Sequence, residues 1–168
     1  MIMRPALRKL ALIAHIGSSV GWFGAVIAYL ALDITVFVSQ NIHFLRAAYI
    51  AMGITVSWAI VPLAITSLIT GLVVSLGTSW GVFRHYWVIF KLLLTSFATI
   101  ILLLAAPSIN SMATMALNPK MAGTHLSMMG NTLLHSVGGL VVLLVILLLS
   151  VYKPKGLTRY GWRKQQEK

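Results

Sequence analysis

Four long apolar runs, separated by short polar breaks, dominate the chain. The breaks fall at "SQNIHF", at "GTSWG" and at "PSINSMATMALNPKMAGTHLSMMG". Between them the pattern predicts helical spans over residues 10–37, 47–76, 85–106 and 131–152, with a basic tail over 153–168. About 20 apolar residues cross the roughly 30 Å hydrocarbon core of a bilayer, so each run is long enough and the first two must tilt or protrude. The expected architecture is an all-α, integral membrane four-helix bundle, one transmembrane domain over residues 1–168. The first run follows the basic "RPALRK" but continues for a full span, so no cleavable signal peptide is expected.

Polar residues inside the runs are grouped by face. At 100° per residue, His15, Trp22, Val26, Tyr29 and Asp33 lie within about 40° of one another, with Ser18 and Ser19 close by. Gly17, Gly21, Gly24 and Ala28 form a different face. A polar group facing hydrocarbon is costly, so the His15 stripe is expected to face the bundle interior. The glycine stripe is expected to pack closely on another helix or on a second copy, as small residues spaced by four do. In the second run Thr55, Trp58, Pro62 and Thr66 align, and Pro62 should kink the helix and free a carbonyl. In the third, His85, Leu92, Ser96 and Thr99 share a face. Lys91 lies about 120° round from His85, so both cannot point squarely inward, and its long stem allows it to snorkel. In the fourth, Asn131, His135, Gly138, Gly139 and Val142 share a face, where glycines a turn from an imidazole leave a flat gap.

Composition strengthens the membrane reading. The chain of 168 residues is 59% hydrophobic and 9% charged, whereas soluble domains carry about 25% charged residues. The net charge of +11 does not point to nucleic acid, because six of the thirteen basic residues sit in the tail. A basic segment after a span reads as a cytoplasmic anchor near anionic lipid. Arg4, Arg8, Lys9, Arg84 and the tail lie on one side and Arg46 and Lys120 on the other, so both termini are expected in the cytoplasm. The expected location is the bacterial cytoplasmic (inner) membrane.

The chain has no cysteine and two acids, Asp33 and Glu167. That excludes disulfides, thiolate metal sites and cysteine nucleophiles, and leaves no carboxylate pair inside the bundle. What remains is imidazole. His15 lies about 7 Å inside the cytoplasmic edge, at 1.5 Å per residue, near the level of His85. His135 lies about 15 to 20 Å away along the membrane normal, with His43 and His125 in the outer loops. Haem needs such a setting: one or two histidines, room for an apolar ring, and cations for its propionates. Haem b is therefore expected at an inner site of His15 and His85, with Arg8, Lys9, Arg84 or Lys91 near the propionates. Trp22, Gly138 and Gly139 would supply walls and space, and His135 marks a second candidate. The plainer alternative is a cofactor-free packing partner in a larger complex, with His15 as a polar contact between helices. A third reading is copper: Met112, Met115, Met121, Met128 and Met129 are five of eight methionines. With His125 among them they form a set suited to Cu(I).

The stretch "HIGSSVGWFG" has a histidine, then six residues, then a tryptophan with a glycine shortly after. It resembles the first span of small membrane proteins related to the copper-resistance D domain and of the haem-dependent protoporphyrinogen oxidase (HemJ-like) group. The run "HYWVIFKLLLTSFATIILLLAA" is similar to those families' span with a lysine near its start. The oxidase group usually has a histidine two residues before that lysine, where this chain has Ile89. The resemblance covers two spans of four. It implies His15 as haem ligand and Lys91 as the accompanying lysine. The leading expectation is a b-type haem protein that moves electrons or oxidises a small molecule such as a porphyrin or quinone. A homodimer through Gly17, Gly21 and Gly24 is a further expectation, and no residue set supports hydrolysis or phosphoryl transfer.

Overall fold

The computed structural model describes residues 3–78, 81–118 and 132–166. It is all-α. Helix α1 spans Pro5–Val38, α2 Ile42–Gly77, α3 Tyr86–Ala116 and α4 Leu133–Tyr152, each long and apolar enough to cross a membrane. A short helix, α5, follows over Arg159–Gln166. Pro5 opens α1 in its first turn, where a missing N–H costs nothing. The Asn41 side chain caps α2 by accepting the His43 N–H at 2.9 Å.

The four long helices form a ring in chain order. α1 packs along α2, α2 along α3, α3 along α4, and α4 closes on α1. Helices α1 and α3 therefore face each other diagonally across the bundle centre. The first-helix stripe is directed inward as its periodicity requires: Ser18, Trp22, Val26, Tyr29 and Asp33 are buried. Of these, Trp22, Val26 and Tyr29 meet Leu45, Tyr49, Met52, Val56, Ile60 and Ala64 of α2 in one apolar core.

The second run departs from its expected face. Trp58 is 82% exposed, and Pro62 and Thr66 are exposed too. Its buried side is Met52, Gly53, Val56, Ile60, Ala64 and Ser67. The turn Val56–Ile60 widens to a π-helix just before Pro62. The proline ring would collide with the carbonyl four residues back, that of Trp58, and the wider turn makes room for it. The expected proline distortion is thus present, on the outer face.

The third helix runs ten residues past its expected end at Ala106, with Pro107 inside it. A proline removes one hydrogen bond, but here packing beyond it outweighs that loss. Ile109 and Ala116 are buried, and Met112 packs on the core. Asn110 Oδ1 accepts the Ser57 hydroxyl of α2 at 3.0 Å. Gly53 lets the two helices touch closely: a Cβ there would stand 2.5 Å from that of Ala113.

The tail is fastened rather than loose. The Tyr86 N–H donates to Gly156 O at 3.3 Å and the Thr158 N–H to Arg84 O at 3.0 Å. The Thr158 hydroxyl bonds Phe83 O at 2.5 Å and accepts the Gly161 N–H at 3.0 Å. At the end of α4, Lys153 adopts a left-handed conformation (φ 42°, ψ 61°) that turns the chain into this strap. At the other terminus, the Met3 N–H bonds Gly77 O at 3.2 Å.

Candidate functional site

The half of the bundle nearer the two chain ends, called the inner half by that position alone, is organised around His15, and the opposite half is called the outer. Its Nδ1 lies 3.1 Å from Ser67 O and 3.3 Å from Thr70 Oγ1, both on α2. The Thr70 hydroxyl gives its own proton to Thr66 O at 2.6 Å, so both neighbours of Nδ1 act as acceptors. Nδ1 therefore carries the proton and Nε2 keeps a free lone pair. A backbone carbonyl holding the far nitrogen is how ligating histidines are oriented. The Nε2 lone pair meets Lys91 Nζ at 3.4 Å. Because α1 and α3 are diagonal, only a side chain as long as lysine closes that span.

Two cavities border this pair. One of about 400 Å³ is lined by His15, Lys91, Leu68, Gly71, Trp87 and Lys153, among others. Another of about 300 Å³ is lined by His15, Lys91, Trp22, Phe23, Leu143 and Ser150, among others. Both are mostly apolar. Ser19 and Ser67, whose hydroxyls share a 2.7 Å bond, sit beside them. Gly71 lies against the imidazole, where a Cβ would be 2.9 Å from Cε1.

The third helix thus turns Lys91 inward, together with buried Val88, Thr95 and Thr99. The expected face of His85, Leu92, Ser96 and Thr99 is rotated by roughly one residue, because Thr95 and Thr99 bond back into their own helix at 2.8 Å and fit the interior. His85 precedes the helix in extended backbone and pairs with Leu157 of the tail. It lines a separate cavity with Arg84, Trp87, Lys153 and Trp162, not the two that His15 lines. The pairing of His15 with His85 is therefore replaced by that of His15 with Lys91. Arg8 and Lys9 are exposed and line none of these cavities. Arg84 lines only the tail cavity, while Lys153 reaches the His15 cavity.

The outer half is a second polar region. Asp33, 2% exposed, accepts the hydroxyls of Thr132 and Ser136, both at 2.6 Å. His135, one residue before Ser136, is exposed and lines an apolar cavity of about 390 Å³ with Trp22, Tyr29, Gly138 and Gly139. His43 is exposed at the start of α2 and does not line it. Of the copper set, Met112 packs into the core and Met115 is half exposed on α3. Met121, His125, Met128 and Met129 lie outside the described residues, as do Asn131 and Glu167. Among the described residues no group of three or more His, Asp or Glu side chains is placed to hold a metal ion.

Among the described residues the glycine stripe of α1 makes one helix contact, Gly21 on Leu63 of α2 at 3.3 Å, and none of them lies within 4 Å of a Cβ on Gly17 or Gly24. Closer packing falls at other glycines, among them Gly53 and Gly71 on α2. Gly71, Ser67 and Ala64 form a run of small residues at spacings of three and four, a sequence signal that pointed at the floor of the His15 site. Lys153 gave no such signal, since its role depends on the turn after α4.

No family model matches the chain, and neither a curated protein nor a solved structure matches it.

Proposed function

We propose that this chain is a b-type haem-binding membrane protein that carries electrons or oxidises a small lipid-soluble molecule such as a quinone or porphyrin. The observation that carries the reading is the His15–Lys91 pair. A histidine held in one tautomer offers its lone pair across the bundle to an amine 3.4 Å away, with mostly apolar cavities beside the pair. An imidazole and an amine would both suit haem iron, and Lys153, which lines the larger of these cavities, would be the cation for a propionate.

Haem, when bound, supplies one-electron chemistry at iron. The chain's part is to hold His15 through Ser67 and Thr70, to exclude water with Leu68, Trp87 and Leu92, and to present the Lys91 amine beside His15. A neutral Lys91 amine would be available as a second donor to the iron, whereas a protonated one would not. The Lys and Arg distribution supports a bacterial cytoplasmic membrane location with both termini inside. The uncovered Gly17 and Gly24 support a homodimer through α1.

The test is the absorption spectrum of protein purified from cells supplied with haem. A Soret band is expected, lost in His15→Ala and shifted from low to high spin in Lys91→Leu. Protein that stays colourless, or His15→Ala protein with an unshifted spectrum and full haem, overturns the reading. His15 is then a hydrogen-bond acceptor for Lys91 between helices.

A further inference from the structure

The tail strap closes a cavity of about 640 Å³ against the start of α3. Its level in the bilayer follows from α4. That helix has 20 residues, a length of about 30 Å at 1.5 Å per residue, which is the thickness of the hydrocarbon core. Tyr152 therefore ends the span at headgroup level, and the cavity, which begins at Lys153, lies just outside the hydrocarbon. Three cations line it, Arg84, Lys153 and Lys155, and among the described residues no Asp or Glu does. His85 adds a further hydrogen-bonding group, and Trp87 and Trp162 add indoles, side chains that collect at headgroup level. The two walls are tied together: the Thr158 N–H donates to Arg84 O at 3.0 Å and the Tyr86 N–H to Gly156 O at 3.3 Å. The backbone that carries the cations is thus fixed before any ligand arrives, which lowers the ordering cost of binding.

We propose that this cavity binds the phosphate of an anionic membrane phospholipid. Like charges gathered around one space repel each other, and an anion between them offsets that repulsion. Arg84 offers phosphate a planar fork of donors and the lysines offer point charges. The apolar surface beside the cavity selects a lipid over a soluble phosphate. On α4, Val141, Leu144, Leu148 and Tyr152 are all exposed, at spacings of three and four. They form one ridge along the span, which ends a residue before Lys153. Acyl chains lie along that ridge while the phosphate reaches the strap. A zwitterionic headgroup has the same phosphate but brings a further cation into a space that already holds three. The proposal stands apart from the haem reading, because only Trp87 and Lys153 line both this cavity and the larger one beside His15.

Native mass spectrometry of the protein purified in detergent tests the proposal, with phosphatidylglycerol and phosphatidylcholine of the same acyl chains as probes. Retention of one phosphatidylglycerol per chain is expected, with about fivefold preference over phosphatidylcholine, the effect of one net charge near fixed cations. Arg84→Gln with Lys155→Gln should lower the affinity about 20-fold, and Lys155→Gln alone about fivefold. Lys155 is exposed on the strap, so the single variant keeps the fold, and thermal melting checks both. Arg159→Gln with Arg163→Gln removes the same charge from exposed positions that do not line the cavity. That pair should leave the affinity within about twofold of wild type. Equal loss in the two pairs would mean a diffuse attraction of the basic tail to negative charge. Equal retention of phosphatidylcholine, or indifference to the Arg84 and Lys155 changes, would remove the phosphate site. Displacement of the lipid by millimolar inorganic phosphate would assign the cavity to a soluble phosphate. Each of these results overturns the proposal. Lys153 is left unchanged because it also borders the His15 cavity. His15→Ala protein should retain the lipid as wild type does, so failure here leaves the haem reading to its own spectrum.

Discussion

Gly71 of α2 lies directly beneath the imidazole of His15, where a Cβ would fall 2.9 Å from Cε1 and 3.3 Å from Nδ1. The ring cannot move off without lengthening its bond to Ser67 O. Gly71→Ala should therefore displace His15 while leaving the bundle folded, since the contact is with a side chain and not with backbone. Haem content per protein should fall at least severalfold, measured by absorbance against total protein. Unchanged haem in a folded Gly71→Ala variant would show that the orientation of His15 is immaterial.

The carboxylate of Asp33 is the fixed point of the outer half. Asp33→Ala takes the carboxylate from the hydroxyls of Thr132 and Ser136, of which Ser136 keeps another acceptor, Leu133 O at 3.0 Å. The expected cost is about 2–3 kcal/mol, from one unsatisfied group at about 1–3 kcal/mol and the lost bonds to a charged acceptor. Ser136→Ala should cost less, about 1 kcal/mol, because it removes one donor and leaves Thr132 in place. Thermal melting in detergent measures both, and equal melting temperatures for the two variants would contradict this account.

Gly161 is placed against the Arg84 carbonyl, and a Cβ there would overlap that backbone oxygen. Gly161→Ala should lift α5 and the strap from the start of α3, freeing the backbone at Arg159 and Arg163, whose side chains are already exposed, to enter the trypsin site. Faster release of the tail, with the membrane helices intact by circular dichroism, is the expected result. Cleavage at the wild-type rate would mean that the strap tolerates the shift.

Gly24 faces open space, so Gly24→Leu should leave the monomer as stable as wild type. If α1 forms a subunit contact, the same change should abolish cross-linking between copies without removing haem. Cross-linking that persists would move any dimer contact to another helix.

Much of this protein was legible in the order of its residues. The bilayer demands about 20 apolar residues per span and tolerates almost no unpaired polar group, so four apolar runs amount to four helices. The same demand turned the His15–Asp33 stripe inward before any neighbour was known. Period alone could not choose between His85 and Lys91, because it did not show that α3 starts only at Tyr86 and leaves His85 in extended backbone against Leu157. The ring order of the helices decided it: α1 and α3 are diagonal, and lysine has the length to cross. Pro107 reads as a stop in isolation, yet Ile109, Asn110 and Ala116 find partners on the far side and carry α3 through it. The stripe of Gly17, Gly21 and Gly24 looked like a packing face, but small residues only permit close approach. Whether a helix comes close depends on the rest of the bundle, which brought α3 to Gly53 and the His15 ring to Gly71 instead.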